Sequence, residues 1–414
     1  MPGVSARAAC LVACVSILSV AGSAAFASEL DDTFSRNGKL RTSLLGGNDV
    51  GVVVRPSGEI VVAASKSLSD IALLQLQPNG SVDTDFGTDG AALAGFSSAE
   101  SRDVALQSDG KVVVVGCSDC YSESSSFAVA RFLPSGSLDP AFSGDGRRTT
   151  NFGRASLDSA EGVAVADDGA IVAVGLTSFG STSTFSMARY LPNGQLDSAF
   201  GNGGKVMTSL GSGYAQAFAT AIQDNGKIVV VGHSDGAGFV VARYTATGLL
   251  DPAFGRDGVV TAGFGDQSSG NGVAIQRDGN IVAVGSAEGR GVDFALVRLH
   301  RDGSRDDAFG SHGRVTTNFG RFDAALDVAL GSNGIVAVGS GRRPGAQDQD
   351  FAVAVYGRHG RLNSQFSGDG QALTRFTHDY DEATSVAMQP NGRIVVAGRA
   401  RGSSEVAVAR YLPG

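Results

Sequence analysis

Apolar residues in this chain gather in short runs separated by turns rich in Gly, Asp and Asn. A representative stretch contains four such runs, Ala217–Gln223, Lys227–Gly232, Phe239–Thr245 and Gly258–Phe264. Each run is long enough for a β-strand and too short for a typical globular helix. Asp224-Asn225-Gly226 joins the first two runs, and such Asn-Gly and Asp-Gly sequences supply the positive φ angles of hairpin turns. The pattern predicts a unit of four antiparallel strands.

This unit recurs along the chain, and a motif of the form Leu-Asp-x-x-Phe, followed by a Gly or Asp turn, marks each copy with minor drift. The marker phenylalanines, spaced 52 to 58 residues apart, are Phe34, Phe86, Phe142, Phe200, Phe254, Phe309 and Phe366. A period of this length identifies a repeat protein. The last copy ends at Tyr411-Leu412-Pro413-Gly414, and the marker expected next stands instead at Leu30–Phe34. One repeat is therefore split between the two ends of the chain.

Seven units of four strands allow a radial propeller or a linear β-solenoid. A split repeat would leave unpaired strands at both ends of a solenoid, whereas in a ring Gly38–Leu44 can pair with Glu405–Leu412. We therefore predict an all-β fold: a seven-bladed β-propeller of four-stranded blades, closed by the N-terminal strand pairing with the C-terminal blade. Residues 28–414 are predicted to form this single domain.

Side-chain sizes agree with this geometry. The second runs, such as Val112–Val115 and Ile228–Val231, are continuously apolar, as expected for strands that neighbouring blades cover on both faces. Small residues are expected where the blades converge on an axis. One position of the first run is small in six units, with Val53 as the exception: Ala105, Ala164, Ala221, Ala274, Ala329 and Ala387.

The N-terminus has the features of a secretory signal peptide. Arg7 precedes the apolar run Ala8–Val20, and small residues follow up to Ala25-Phe26-Ala27. We predict that residues 1–27 are removed and that the mature protein is exported, to the periplasm or outside the cell. Leu11-Val12-Ala13-Cys14 resembles a lipoprotein box, but few apolar residues separate it from Arg7.

Charge and composition narrow the possible partners. Removing Arg7 with the leader leaves 32 basic and 41 acidic residues, a net charge of 32 − 41 = −9. The basic surface of a nucleic-acid-binding protein is absent. No stretch reaches the roughly eighteen apolar residues that a membrane-spanning helix needs. We therefore expect a monomer with no nucleic-acid partner and no membrane insertion.

The repeat resembles a known family. Each unit contains a Val-Ala-x-Gln-x-Asp/Asn-Gly-Lys-Ile-Val-Val-x-Gly segment, then Phe-x-x-Ala-Arg-Tyr-x-x-x-Gly, then Leu-Asp-x-x-Phe-Gly, with drift between copies. From Leu30 to Gly414 this pattern is similar to the delta-60 repeat, a bacterial β-propeller-like repeat of uncharacterised function. The resemblance implies the propeller fold and brings no catalytic residue to this chain.

Arginine and aspartate recur together in the unit. Arg stands near the end of the third run and Asp in the marker motif that follows, for example Arg243 and Asp251. Both charges are missing from the sixth unit, which has Val355 and Asn363. Because the two residues are lost together, we predict a structural ion pair within each blade. The pairs would be Arg131 with Asp139, Arg189 with Asp197, Arg243 with Asp251, Arg298 with Asp306 and, through ring closure, Arg410 with Asp31. The first unit departs from this pattern, with Gln75 before Asp83.

Few residues point to chemistry. Cys117 and Cys120, the only cysteines beyond the leader, are expected to form a local disulfide in an exported protein. The five histidines share no pattern, and acidic turns such as Asp83–Asp89 lack the spacing of a calcium loop. We predict no catalytic, cofactor-binding or metal-binding residue, and no cofactor.

The ligand candidates are residues that depart from the repeat. Asp103 and Asp327 stand at the start of first runs, where other units have Gly, Ala or Ser. The loops between second and third runs vary most: Cys117–Ser126 is polar, and Gly341–Asp350 carries Arg342 and Arg343. Variable loops on a rigid scaffold are usual binding sites. Our hypothesis is a non-enzymatic binding or scaffold protein for a protein or glycan. The alternative is a hydrolase or lyase that acts through Asp103 and Asp327.

Overall fold

A computed structural model describes residues 30–66, 69–211, 213–289, 291–332 and 334–413. These residues form 28 strands in seven antiparallel sheets of four, and they contain no helix. The protein is a seven-bladed β-propeller, as predicted. We number the blades I to VII from the first complete unit. The predicted signal peptide, residues 1–27, lies outside the described residues.

Each of blades I to VI takes four consecutive strands, listed from the axis outward. Blade I contains β2 (Gly46–Val54), β3 (Ile60–Lys66), β4 (Asp70–Leu76) and β5 (Ala91–Leu93). Blade II contains β6 (Ala99–Leu106), β7 (Val112–Ser118), β8 (Ser126–Phe132) and β9 (Arg147–Thr150). Blade III contains β10 (Leu157–Val165), β11 (Ile171–Phe179), β12 (Thr182–Tyr190) and β13 (Lys205–Thr208).

The second half of the ring repeats this order. Blade IV contains β14 (Ala215–Ile222), β15 (Ile228–Ser234), β16 (Gly238–Tyr244) and β17 (Val259–Thr261). Blade V contains β18 (Ser269–Ile275), β19 (Ile281–Glu288), β20 (Val292–Leu299) and β21 (Arg314–Thr317). Blade VI contains β22 (Ala324–Gly331), β23 (Gly334–Gly341), β24 (Asp350–Tyr356) and β25 (Gln371–Thr374).

Blade VII closes the ring with strands from both ends of the chain. It contains β26 (Glu382–Met388), β27 (Ile394–Ala400), β28 (Glu405–Tyr411) and, at its outer edge, the N-terminal β1 (Lys39–Thr42). The register places Lys39 opposite Ala409 and Thr42 opposite Val406. The innermost strand of blade I contacts that of blade VII, so the first strands form a complete ring. The predicted closure is confirmed.

The core consists of seven apolar clusters, one at each blade interface. Alternate residues of a second strand face opposite neighbours. In β3, Val61 packs with Val112 and Val114 of blade II, whereas Val62 packs with Val395 of blade VII. This alternation explains why the second strands are apolar at every position: neither face meets solvent.

The marker phenylalanine joins each blade to the next. Phe34 is fully buried in blade VII and lies under Gly80, in a turn of blade I, where an added Cβ would be 2.6 Å from its ring. The adjacent Ser35 N–H donates to the carbonyl of Asn79 at 2.7 Å. Phe254 of blade IV has the same relation to Gly303 of blade V. The turn is glycine because the ring leaves no room for a side chain.

The predicted ion pairs are confirmed in all five blades that carry both residues. The shortest N–O distances are 2.7 Å for Arg243 with Asp251, 2.8 Å for Arg298 with Asp306, 2.9 Å for Arg131 with Asp139, 2.9 Å for Arg410 with Asp31 and 3.3 Å for Arg189 with Asp197. The same arginines also donate to a carbonyl of the following blade, for example Arg131 to Pro192 at 2.6 Å. Each pair therefore joins two blades.

In blade I an arginine and a glutamine have exchanged positions relative to blade II. The Gln75 side-chain Nε2 donates to Asp83 at 2.7 Å, and the Arg55 Nε donates to the Gln75 side-chain Oε1 at 2.9 Å. Arg55 occupies the end of the first strand, where blade II has Gln107. Its Nη1 donates to the Gly110 carbonyl of blade II at 2.6 Å, so the link to the next blade is kept. The loss of Arg from the third strand is thus compensated.

The structure differs from the sequence prediction in the length of the fourth strand and in the position of the small first-strand residues. The predicted fourth strand Gly258–Phe264 is only Val259–Thr261, because the chain turns at Gly263, whose φ is +75°. Short outer strands limit the unpaired edge that each blade exposes. The small residues of the first strands, such as Ala105 and Ala329, pack against the following blade. They do not line the axis, which is formed by other residues.

Candidate functional site

The propeller has two chemically different faces. The loop face carries the loops between second and third strands and the connections into first strands, and hydrogen bonds join the two sets. Ser125, for example, donates its N–H to the Ser156 carbonyl at 3.2 Å. The hairpin face carries the Asp-Gly turns and the connections between third and fourth strands. The loop face therefore presents the segments that vary most among the units.

A β-bulge in every first strand shapes the axial channel near the loop face. In six blades one residue is inserted between two paired ones, and these are Arg102, Glu161, Phe218, Asn271, Leu326 and Thr384. In blade I the register skips from Gly46 to Gly51, so a longer segment is unpaired. Bulges re-aim side chains and are frequent near binding sites.

Glycine in the second strand makes the bulge possible. The Glu100 carbonyl lies so close to Gly116 that a Cβ added to Gly116 would be 1.8 Å from the carbonyl oxygen. Five other blades have the same glycine, at Gly175, Gly232, Gly285, Gly339 and Gly398. Blade I has Ala64 there, and its first strand leaves four residues unpaired. The last Gly of the Ile-Val-Val-x-Gly segment is the sequence feature that could have predicted this channel.

The bulge residues and their neighbours line an axial cavity of about 390 Å³. Asp103 and Asp327 both line it, so the structure brings these two candidates together. The other charged lining residues are Asp49, Arg102 and Glu161. Among the described lining residues Arg102 is the single cation, and four carboxylates surround the same space.

Arg102 is the centre of a charged cluster. Its Nη2 lies 2.8 Å from a carboxylate oxygen of Glu100 and its Nε lies 3.6 Å from Glu161, while Nη1 donates to Asp49. Burial alone would lower the pKa of Arg102, but the charges of Glu161, Asp49 and Glu100 outweigh it and raise the pKa. Burial raises the pKa of Glu161, against the opposing charge of Arg102. One guanidinium is thus shared by three carboxylates.

Asp103 and Asp327 each join their own first strand to that of the next blade. Asp103 accepts the N–H of Val163 in blade III at 2.8 Å and that of Val104 at 2.7 Å. Asp327 accepts the N–H of Val386 in blade VII at 2.8 Å and that of Val328 at 2.7 Å. Both oxygens of each carboxylate are therefore occupied by backbone donors.

These two carboxyls are unusually hard to ionise. Burial, together with the charge of Asp327, raises the pKa of Asp103 to about 7. Burial raises the pKa of Asp327 to about 6, against the hydrogen bonds from Val386 and Val328. In the unfolded chain both would titrate near 3.8. Protonation therefore favours the folded state.

We expect the free energy of unfolding to fall as pH rises between roughly 5 and roughly 8. A raised folded-state pKa gives stability that is present below 3.8 and is lost as pH rises through about 6 and 7. Urea unfolding at both ends of this range measures the change.

The matched control is the double variant Asp103→Ser and Asp327→Ser, which should flatten the pH profile of the unfolding free energy. Ser385 of blade VII occupies the equivalent position and accepts the Val52 N–H at 3.1 Å. An unchanged slope in the variant would contradict the assignment.

Arg342 and Arg343 do not reach the axial cavity. The Arg342 guanidinium lies 5.4 Å from the ring centre of Phe322, on the connection into blade VI. Arg343 lies 3.3 Å from Asp350 and donates to the Leu373 carbonyl at 2.9 Å. The structure places both on the loop face, away from Asp103 and Asp327.

A disulfide joins Cys117, at the end of the second strand of blade II, to Cys120. The Cys120 N–H donates to the Ser98 carbonyl at 3.2 Å, which ties the loop to the connection into the same blade. Tyr121 follows directly, and its hydroxyl donates to Glu100 beside Arg102. The bridged loop thus holds Tyr121 against Glu100, one of the three carboxylates that pair with Arg102.

We expect both cysteines to be oxidised in protein recovered from the export compartment, because no reducing thiol pool protects them there. Thiol alkylation followed by intact-mass measurement tests this. Reduction should change the melting temperature little, since so short a loop contributes little entropy. Quantitative labelling of both thiols without prior reduction would show that the bridge is absent.

Exposed aromatic side chains are confined to the loop face. All five exposed Phe and Tyr residues of the described chain lie on its loops, strand ends and connections: Tyr121 (67%), Phe322 (52%), Tyr380 (50%), Phe179 (45%) and Tyr214 (40%). The exposed large apolar residues elsewhere are aliphatic or Met, such as Leu249 on the hairpin face. Aromatic residues at the surface are typical of binding sites.

Within the described ranges, no group of three or more His, Cys, Asp or Glu side chains could hold a metal ion. The same ranges contain no helix of the length and hydrophobicity needed to cross a membrane.

The fold and this axial site define a β-propeller repeat protein. Six segments match the family described as "Domain of unknown function (DUF5122) beta-propeller": residues 55–86, 107–142, 166–200, 223–254, 276–309 and 389–414. The sixth unit, in which Val355 and Asn363 replace the ion pair, is outside these segments. No curated protein matches the chain in sequence.

The chain resembles solved structures at low sequence identity. The polysaccharide lyase Uly1 aligns with a TM-score of 0.50 and 8% identity, over 89% of this chain and 90% of the lyase. The extracellular domain of BT4673 from B. thetaiotaomicron aligns with a TM-score of 0.47 and 10% identity, over 90% of this chain and 42% of that one. At 8% identity the likeness to the lyase concerns the fold alone.

Proposed function

We propose that this protein is an exported, non-enzymatic binding or scaffold propeller that recognises a protein or glycan through the variable loops of the loop face. The observation that carries the proposal is the restriction of all five exposed Phe and Tyr rings of the described chain to that face. Aromatic rings supply contact area at low entropic cost, and a rigid β-scaffold holds them in place. Exposed aromatic residues with no role in binding would be expected on both faces of the propeller.

The proposal includes cleavage after Ala27 and a monomeric mature protein. We also infer that the units are delta-60 repeats, from the motifs Val-Ala-x-Gln and Leu-Asp-x-x-Phe-Gly. The matched family model supports propeller repeats in general. Export is consistent with the local Cys117–Cys120 disulfide, since such bridges persist in oxidising compartments.

Loop replacement tests which face binds. Residues 119–124 of blade II and 342–349 of blade VI are exchanged for the shorter Asp235–Ala237 turn of blade IV, which connects the same pair of strands. Ser125 is kept because its hydroxyl donates to the Asp158 carbonyl at 2.9 Å. Asp350 is kept because it pairs with Arg375, which remains in the variant. We expect loss of capture from envelope extracts and immobilised polysaccharides, with little change in melting temperature.

The control for this experiment separates the loops from the disulfide. The blade II replacement removes Cys120, so it also carries Cys117→Ser, and a second variant has only Cys117→Ser and Cys120→Ser. Binding should survive in the second variant more than in the first. Undiminished capture by the loop replacements would place the binding surface elsewhere.

The alternative function is a hydrolase or lyase that uses Asp103 and Asp327. A carboxyl whose pKa is raised to about 7 has the affinity for protons that a general acid needs near neutral pH. Both carboxylates, however, already accept two backbone N–H groups. A β-eliminating lyase also needs a carboxylate on its substrate, and four carboxylates in the lining would repel it. Turnover of a polysaccharide that disappears in the Asp103→Ser and Asp327→Ser variant would favour the enzyme.

A further inference from the structure

Two tyrosines of the loop face are bonded to residues at the edge of the axial cavity, which we call its rim: Gln216 lines the cavity, and Glu100 pairs with the lining residue Arg102. Tyr121 of blade II donates its hydroxyl to Glu100, and Tyr214, on the connection into blade IV, donates to Gln216. Their side chains are exposed by 67% and 40%. The hydroxyls are therefore held while the ring faces remain accessible, which preorganises both rings for a ligand.

The lining next to these rings alternates donors and acceptors. The Gln216 side-chain amide can donate, and the carboxylates of Asp49 and Glu161 can accept further hydrogen bonds. Every sugar hydroxyl both donates and accepts a hydrogen bond, and a sugar ring has an apolar C–H face that packs on an aromatic ring. The rim offers both kinds of contact within one cavity.

The size of the cavity favours a small ligand over a protein surface. Its 390 Å³ volume lies in the range of roughly 300 to 1,000 Å³ typical of small-ligand pockets. A protein partner would need roughly 800 Å² on each side with an apolar centre. The centre here is polar, and the exposed rings of the loop face stand singly on separate segments, for example Phe179, Phe322 and Tyr380.

The charge of the cavity restricts the ligand further. Asp49, Asp103, Glu161 and Asp327 line it, and the single described cation, Arg102, is already paired with Asp49, Glu100 and Glu161. One arginine offsets only one of these charges, so a ligand with carboxylates would meet uncompensated negative charge and be repelled.

We propose that the ligand is an oligosaccharide without uronate groups, bound at the rim of the axial cavity with sugar rings against both Tyr121 and Tyr214. This inference rests on the proposed binding function and names its ligand class. The polar lining orients the sugar hydroxyls, and the surplus of carboxylates excludes acidic polysaccharides.

Isothermal titration calorimetry of the mature chain tests this with cellohexaose, mannohexaose, N-acetylchitohexaose and hexagalacturonate as probes. We expect at least one of the three uncharged probes to bind and hexagalacturonate not to bind. Tyr121→Ala and Tyr214→Ala should each weaken binding roughly 3- to 10-fold. Tyr121→Phe keeps the ring but loses the bond to Glu100, and it should weaken binding less. The matched control, Leu249→Ala, changes an exposed residue of the hairpin face and should bind as the wild type does.

Three outcomes would overturn the inference: binding of hexagalacturonate alone, no binding of any probe, or equal affinity in Tyr121→Ala, Tyr214→Ala and the wild type. If no probe binds but a protein partner is captured through the loop face, the ligand class is wrong and the proposed binding function stands. If neither glycan nor protein depends on the loop face, both fail.

Discussion

A chain that lacks residues 30–44 is expected to lose most of its stability. The deletion removes β1, the fully buried Phe34 and Asp31, which lies 2.9 Å from Arg410. Loss of a buried Phe costs roughly 3–5 kcal/mol, and a buried charge left without its partner costs roughly 3–5 kcal/mol more. Together these approach the 5–15 kcal/mol or so that stabilises a typical domain. Thermal unfolding followed by circular dichroism measures the effect.

The control for the deletion is Leu44→Ala, which changes an exposed side chain (52%) in the same segment. Its melting temperature should remain close to that of the wild type. A deleted chain that melts within a few degrees of the wild type would show that the ring does not depend on its closing strand.

Arg298→Val is expected to destabilise blade V by roughly 3–5 kcal/mol, because Asp306 is left charged and buried. The two residues lie 2.8 Å apart and are less than one-tenth exposed. The double variant Arg298→Val and Asp306→Asn should recover part of this loss. It reproduces blade VI, which folds with Val355 and Asn363 at the same positions. Urea unfolding of the wild type, both single variants and the double variant measures the coupling.

Recovery should be partial, because Arg298 has further roles. Its Nη1 donates to the Arg358 carbonyl of blade VI, and its guanidinium lies 4.5 Å from the ring centre of Phe309. Valine replaces neither contact. If the losses in the two single variants simply add in the double variant, the ion pair does not stabilise the fold as a pair.

The pH dependence separates two groups of aspartates. Asp103 and Asp327 have raised pKa values and destabilise the fold when they ionise. The pKa of Asp306 is lowered despite burial, by the N–H of Ala308 and the charge of Arg298. Stability from Asp306 is therefore present above its unfolded pKa of 3.8 and is lost as pH falls through its folded value. Stability should be greatest at mildly acidic pH, between these two effects.

The blades, their number and the ring closure were predictable from the sequence, because each depends on local patterns that repeat. Turn residues and apolar runs define the strands of one unit, and the misplaced marker Leu30–Phe34 implies closure. The Arg–Asp pairs were predictable because both residues disappear together at Val355 and Asn363. A single repeat cannot bury its apolar faces alone, so the unit itself requires neighbours.

The candidate site was predictable only in part. Asp103 and Asp327 stood out because other units have small residues there, and they do line the axial cavity. Arg102 and Glu161 did not stand out, because first-strand positions drift in sequence and only the bulge turns them toward the axis. Tyr121 and Tyr214 lie on different loops, far apart in sequence. Arg342 and Arg343 were also candidates from the sequence, yet they do not line the cavity.

By itself, the sequence determined the repeat, the strands and the ring, because turn chemistry and alternating burial act over a few residues and recur in every unit. Only the tertiary structure decided which side chains meet at the axis. The set of residues at the axis depends on the bulges, such as the one at Arg102, where the Glu100 carbonyl lies close to Gly116. It also depends on seven first strands, one from each sheet, meeting around the axis. Convergence of this kind has no local sequence pattern, because each blade contributes one to three residues to a surface that exists only when the ring is closed.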